Sequence, residues 1–194
     1  DLHIRHDDLV VATQGRSFWI LDNLTPLHQI YDGEVGDDNY LYKPQSPLRS
    51  ISLGYPEYSG QDADVLIGRN PPRGLQVQYI LGEDLAEDGV ISMEIYDQAG
   101  ALVHSEYSND TAPACALSPT PMLLKKSKGA NLWTWNMMIG QYECFDEIFS
   151  VTRGRSVYKA VPGNYSVKLS IGEYSQTQDF EILVDPRLTG TRAE

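Results

Sequence analysis

Val90-Ile91-Ser92-Met93-Glu94-Ile95-Tyr96-Asp97 alternates without a break, setting Ile91, Met93 and Ile95 on one side of the chain and Ser92, Glu94 and Tyr96 on the other. Side chains alternate across a strand, so this period of two makes a half-buried β-strand with one face in a core and one in water. The next residues, Asp97-Gln98-Ala99-Gly100, are turn formers, and Gly100 supplies a positive φ without steric cost. Ala101 to Tyr107 then returns as the second strand of a hairpin. Tyr165, Val167, Leu169 and Ile171 alternate with Ser166, Lys168 and Ser170. After Gly172 and Glu173, a strand carrying Phe180, Ile182 and Val184 completes a second hairpin. Gln76 to Leu81 and Asn131 to Asn136 add further strands, the latter with Trp133 and Trp135 on one face. An indole buried on a mid-sheet strand is the usual anchor of a two-sheet core, so both tryptophans are predicted core residues.

The rest of the chain agrees with an all-β fold. Its 194 residues include 16 Gly and 11 Pro, spread between short alternating runs. No long stretch sustains a helical period, and no repeat recurs at a fixed spacing. With 15 Lys+Arg against 27 Asp+Glu the net charge is −12, and the main basic cluster is Lys125, Lys126 and Lys128. Neutralising nucleic-acid phosphates needs clustered cations, so DNA and RNA are excluded as expected partners. Uninterrupted apolar runs such as Leu9 to Ala12 and Phe18 to Leu21 are four residues long. A spanning helix needs roughly 20, so membrane insertion by a helix is not expected.

Residues 1–30 read as a separate unit. Leu9 to Thr13, the turn Gln14-Gly15-Arg16 and Ser17 to Asp22 make a tight hairpin, which alone in water is marginally stable at best and needs a covering surface. Docking on the rest of the chain, or strand pairing with another chain, would supply it. Residues 31–61 are acidic and rich in Tyr, Gly, Pro and Ser, an irregular connector expected to drape over its neighbour. Residues 62–188 form the predicted two-sheet domain, and 189–194 a tail.

The stretch "HDDLVVATQGRSFWILDNLTPL" (His6 to Leu27) resembles the closing strands of propellers in the sortilin-like, BNR-repeat family, often described as glycosyl hydrolase-like. "GRNPPRGLQVQYIL" (Gly68 to Leu81), "ISMEIYDQAGALV" (Ile91 to Val103), "GANLWTWNM" (Gly129 to Met137) and "VPGNYSVKLSIGEYSQTQDFEILVDPRL" (Val161 to Leu188) are similar, in the same order, to the Ig-like module of flagellar hook-capping proteins. The resemblance implies an Ig/fibronectin type III-like β-sandwich preceded by a propeller-derived hairpin and an irregular connector. It also implies a C-terminal part of a larger bacterial protein exported to the periplasm or beyond. The partner so implied is the propeller portion of that protein, or another chain. The sequence departs from the family at Gln14, where a His commonly precedes the Gly-Arg turn.

Candidate chemistry is sparse. Asp32, Glu34, Asp37 and Asp38 supply four carboxylates within eight residues, oxygen ligands of the kind Ca²⁺ takes, but without the spacing of a helix-loop-helix calcium site. The competing reading is a solvated acidic loop, and no other cofactor is expected. Arg16 could hold an anion or serve its turn structurally. Tyr79 and Tyr96, with Tyr55, Tyr58, Tyr107 and Tyr174, could stack a glycan or sit half-buried at sheet edges. Glu94, Glu106, Asp84 and Glu87 could be nominated as paired acids of a glycosidase, yet no spacing forces two of them into one cleft. No catalytic residue is assigned. The expected function is a non-catalytic structural or interaction module. A carbohydrate-binding accessory domain and a fragment of a hydrolase with its active site in the absent propeller are the alternatives.

Cys115 and Cys144 lack zinc-ligand spacing. They are either two buried thiols or a disulfide, which would close a loop of about 30 residues and contribute roughly 3–4 kcal/mol by chain entropy. The exported location implied by the resemblance favours the bridge, so thiol titration of the unfolded, unreduced protein should find no free thiol. Two free thiols would reject the pairing.

Overall fold

The computed structural model describes residues 1–36, 38–50, 73–109, 124–139 and 158–187. The described residues are mostly β, with one short helix. In chain order the elements are β1 (Leu2–Arg5), β2 (Asp8–Ala12), β3 (Phe18–Leu21), α1 (Thr25–Tyr31), β4 (Tyr40–Leu41), β5 (Leu48–Arg49) and β6 (Leu75–Leu81). There follow β7 (Ile91–Asp97), β8 (Leu102–Tyr107), β9 (Gly129–Trp135), β10 (Met138–Ile139), β11 (Tyr158–Lys159), β12 (Gly163–Ile171) and β13 (Tyr174–Val184). The strands form a sheet β1-β2-β3, a five-stranded sheet β5-β13-β12-β7-β8, a three-stranded sheet β4-β6-β9 and a small pair β10-β11.

One apolar core joins the five-stranded sheet to β4-β6-β9. The first contributes Ile91, Met93 and Ile95 from β7, Val167 and Leu169 from β12, and Phe180 and Ile182 from β13. The second contributes Leu75, Val77, Tyr79 and Leu81 from β6, with Trp133 and Trp135 from β9. The alternation of each strand is what turns these residues to a common side, and β7 and β12 pair in register from Ile91↔Ile171 to Asp97↔Tyr165. Trp133 and Trp135 are 2% and 1% exposed. Their N–H groups need partners in that environment. The Trp133 indole donates to Glu106 Oε2 at 2.6 Å and that of Trp135 to the Met138 carbonyl at 3.1 Å. The close approach of β6 to β9 depends on Gly74, with φ +118°, because a Cβ there would lie 2.1 Å from the Trp135 carbonyl oxygen.

Two sequence expectations change. The N-terminal unit is a three-stranded sheet followed by a helix rather than a hairpin. Leu2 and Ile4 alternate with His3 and Arg5, and that strand pairs with β2 from Leu2↔Val11 to Arg5↔Asp8. Helix α1 starts where Pro26, in its first turn, presets a helical φ and lacks the N–H that would go unbonded there. The connector is also partly regular. β4 pairs with β6 and carries Leu41 at 0% exposure, while β5 runs parallel to β13. The two-sheet unit thus begins near residue 40, ahead of the expected boundary at 62. β13 starts at Tyr174, directly after Gly172 and Glu173, and before its apolar residues begin. Gln176 and Gln178 hold the inward positions there: the Leu41 N–H donates to Gln176 Oε1 at 2.7 Å, and both Nε2 groups donate to the Leu41 carbonyl at 3.2 and 3.1 Å. Cys115 and Cys144 lie outside the described residues.

Truncating Trp133 or Trp135 to Ala should cost about 3–5 kcal/mol, the range of large aromatic deletions in a close-packed core. Denaturant unfolding checks this, and single mutants within about 0.5 kcal/mol of wild type, the scale of surface changes, would contradict the placement.

Candidate interaction site

The residues of the N-terminal sheet sort by pairing. Opposite residues of an antiparallel pair point to the same face, so Leu2↔Val11↔Trp19 and Ile4↔Leu9↔Leu21 place six apolar side chains on one face with no polar residue among them. The other face grades across the strands. His3 and Arg5 on β1 lie opposite Val10 and Asp8, and Phe18 and Ile20 on β3 lie opposite Ala12 and Val10. Neither face is covered by the described residues: Leu2 is 71% exposed, Phe18 74% and Trp19 57%, and Ile4, Ile20 and Leu21 are exposed as well. Leu27, Ile30 and Tyr31 on α1 are exposed as well. β1 and β3 are both free edges among the described residues.

Polar bonds shape this unit and fasten it. The Asp8 carboxylate accepts the Asn23 N–H at 2.9 Å, and the Asp7 carbonyl accepts the Leu24 N–H, so the chain leaving β3 is held at the β1–β2 turn. Leu24 is buried beside the start of α1. From α1 the buried Gln29 side chain accepts the Lys43 N–H at 2.9 Å and donates to the Lys43 carbonyl at 3.1 Å, a pairing that mimics a strand neighbour. Gln45 Nε2 donates to Asp7 Oδ2 at 3.0 Å. These links lead into β4. Among the described residues nothing covers the apolar faces, and residues 51–64 of the connector expected to carry their docking lie outside the described residues.

The other sequence candidates are dispersed. Arg16 is exposed in the β2–β3 turn, and its carbonyl accepts the Trp19 indole N–H at 3.2 Å. Tyr79 is a correction: it belongs to the inward face of β6 at 0% exposure and donates its hydroxyl to the Lys125 carbonyl at 2.7 Å, so its ring has no face for a sugar. Tyr96 is half-buried on the opposite, outer face of β7. Its hydroxyl donates to Glu94 Oε2 at 2.9 Å, and that bond to a carboxylate, followed by burial, raises its pKa. Tyr55 and Tyr58 lie outside the described residues.

The described residues of the acidic segment after α1 do not gather into a ligand set. Asp32, Glu34 and Asp38 are exposed, and Asp37 lies outside the described residues. The Asp32 backbone N–H closes the helix end on the His28 carbonyl at 2.9 Å. The Glu34 carboxylate lies beside Tyr40, whose pKa is raised first by burial and then by that charge. Among the described residues no three His, Cys, Asp or Glu side chains come together to hold a metal ion.

Glu94 and Glu106 cannot flank one cleft as a pair. Glu106 lies opposite the buried Met93 and shares its inward face, whereas Glu94 points outward. Asp84 is occupied by the Lys128 N–H at 2.7 Å. Sequence reading missed His104. Its ring lies 6.0 Å from that of Trp133 and 5.7 Å from that of Trp135, nearly parallel to both, and its Nε2 is 3.4 Å from Glu106 Oε1. β8 begins at the exposed Leu102 and shifts register at Ile95/Tyr96, so its pattern does not say which side His104 takes.

No helix of the described residues is long and apolar enough to cross a membrane. No protein-family model matches the chain, and no curated protein matches it.

Burial pushes the Tyr79 pKa up to about 12, despite a smaller opposing effect of its bond to Lys125. The folded state therefore holds this proton more tightly than the unfolded chain does. Its contribution to stability is complete below pH 10 and is lost as pH rises towards about 12. Spectrophotometric titration of the folded protein should show a last tyrosine ionisation, near pH 12, that Tyr79→Phe removes.

Proposed function

We propose that this chain is a non-catalytic structural and interaction module at the C-terminal end of a larger exported propeller protein, with β1–β3 and α1 as the part that joins it to the remainder. One observation carries this reading: a three-stranded sheet has one wholly apolar face, a second face half apolar, and both left open. Contiguous exposed apolar surface on this scale marks an interaction site.

Size decides what kind of partner fits. Three strands of about four residues span about 14 by 13 Å from the usual strand spacing and rise. A specific interface needs roughly 800 Å² from each partner, more than one such face offers. Two copies meeting face to face would be too small, whereas enclosure of both faces within a continuing β-structure uses all the apolar residues. The resemblance of His6 to Leu27 to the closing strands of a propeller agrees with that need.

The two-sheet unit from residue 40 onward suits an Ig/fibronectin-type terminal module. Its sheets share a core of their own around Trp133 and Trp135, so it does not draw on the N-terminal sheet for stability.

Tryptophan quenching tests the proposal. The chain has three tryptophans, of which Trp133 and Trp135 are buried, so iodide reports on Trp19. The iodide-accessible fraction of emission should be substantial in this chain. It should fall close to zero when the residues encoded upstream of Asp1 are included. Unchanged accessibility in the longer chain, or the absence of propeller-like sequence upstream, would overturn the reading.

A further inference from the structure

β8 ends the five-stranded sheet as an edge strand among the described residues, and its core side is not apolar. Glu106 lies opposite Met93 and His104 opposite Ile95, and Met93 and Ile95 are both 0% exposed. The edge strand therefore turns an imidazole and a carboxylate to the face on which β7 turns hydrophobic side chains. From the other sheet the indoles of Trp133 and Trp135 meet the imidazole at 6.0 and 5.7 Å, within 25° of parallel. The Glu106 carboxylate is only half engaged. Its Oε2 accepts the Trp133 indole N–H at 2.6 Å, and its Oε1 stands 3.4 Å from His104 Nε2. That nitrogen is buried and makes no hydrogen bond. The His104 and Glu106 side chains keep 24% and 18% of their surface exposed, which gives a proton from solvent a route to the ring.

A neutral imidazole carries one N–H, whereas an imidazolium carries one on each nitrogen, so protonation makes Nε2 a donor whichever tautomer preceded it. A bond from that donor to a carboxylate is charge-assisted, shorter and roughly twice as strong as a neutral one. A cation against indole faces is also attracted by their π electrons. We propose that His104 is a proton-operated brace between the two sheets. Its imidazolium donates from Nε2 to Glu106 Oε1 and completes a chain from β8 through Glu106 to Trp133 on β9. The neutral ring leaves that bond open and β8 less firmly held.

The surroundings leave this pairing without a competitor among the described residues. Glu106 is the carboxylate paired with the ring. β7 faces it with Ile95, β9 with the two indoles, and β10, which runs beside β8, brings Met138 and Ile139. Glu94 belongs to the outer face of the sheet. Tyr165 on β12 stands edge-on to Trp135 and donates its hydroxyl to the Val161 carbonyl. His3, His6 and His28 are exposed in the N-terminal unit. The device lies within the two-sheet unit and holds whatever covers the N-terminal sheet. Because the added bond belongs to the protonated ring, the brace is present below the ordinary imidazole value of about pH 6.5 and is lost as pH rises through that range.

Amide exchange of the whole chain at pH about 5.5 and about 7.5, on either side of that value, tests the proposal when expressed as protection, so that the intrinsic pH dependence of exchange cancels. Protection of Leu102–Tyr107 relative to Gly163–Ile171 should fall about fivefold from the lower to the higher pH, the step from a charge-assisted to a neutral bond. His104→Phe keeps a ring against the indoles, and Glu106→Gln keeps an oxygen for the Trp133 N–H. In both variants the pH dependence should vanish. The wild-type chain supplies a second reading that needs no variant to fold: at the lower pH the His104 Nε2–H should give a slowly exchanging NMR signal close in space to the Trp133 indole proton. Equal protection at both pH values, a pH dependence that survives in His104→Phe, or absence of the Nε2–H signal at the lower pH would overturn the proposal.

Discussion

Burying two indoles in one core sets the terms for much of the two-sheet unit. An indole brings a large apolar area and a single N–H that is costly to leave unbonded away from water. Trp133 and Trp135 meet that demand differently. Trp135 uses a local carbonyl, that of Met138, three residues along the chain. Trp133 reaches across to the other sheet, to Glu106 on β8. The short bond to a carboxylate ties the edge strand of one sheet to the edge strand of the other, and His104 fills the space beside both indoles. The same geometry reaches β6, where Gly74 lets the chain pass the Trp135 carbonyl.

Side-chain amides do the joining elsewhere. β4 is two residues long and pairs with β6 alone, so Leu41 would keep unbonded backbone groups at 0% exposure. Gln176 and Gln178 supply the missing partners from β13. Gln29 does the same for Lys43 from α1. Lys126 extends the device to the loop before β7, its ammonium donating to the Ala86, Glu87 and Gly89 carbonyls at 3.2, 2.7 and 3.0 Å. Buried backbone groups must be paired, and where short strands run out, long polar side chains take their place.

That substitution explains which parts of the fold were legible in the sequence. β7 and β12 were plain because each is flanked in the sheet and buried on one face, which forces strict alternation. The first half of β13 was not, because its inward residues are glutamines bonded to a neighbour's backbone. β4 was too short to show a period. Tyr79 was misread for a different reason. Val77, Tyr79 and Leu81 alternate on one strand, and that alternation puts the ring inside. The N-terminal strands were partly legible. Four consecutive apolar residues in β3 have the pattern of a strand covered on both sides, yet all four are exposed. The acidic residues after α1 show the opposite limit, since composition drew attention to carboxylates that the backbone leaves exposed and apart.

The contrast between how the N-terminal sheet is fastened and what it leaves open is the feature with functional weight. Its links toward the two-sheet unit are hydrogen bonds from Gln29 and Gln45, each of a kind worth about 1 kcal/mol net. Fully burying one large apolar side chain contributes about 1.5–3 kcal/mol, so the uncovered faces hold a larger unused driving force than the bonds that anchor them. Free association would set against that a cost of about 4–15 kcal/mol in lost translational and rotational freedom. A partner in the same polypeptide avoids most of that cost, because the chain already holds it close. The proposed place of this small sheet within a continuing β-structure of the same polypeptide agrees with that balance, because covalent connection lets a few strands be enough.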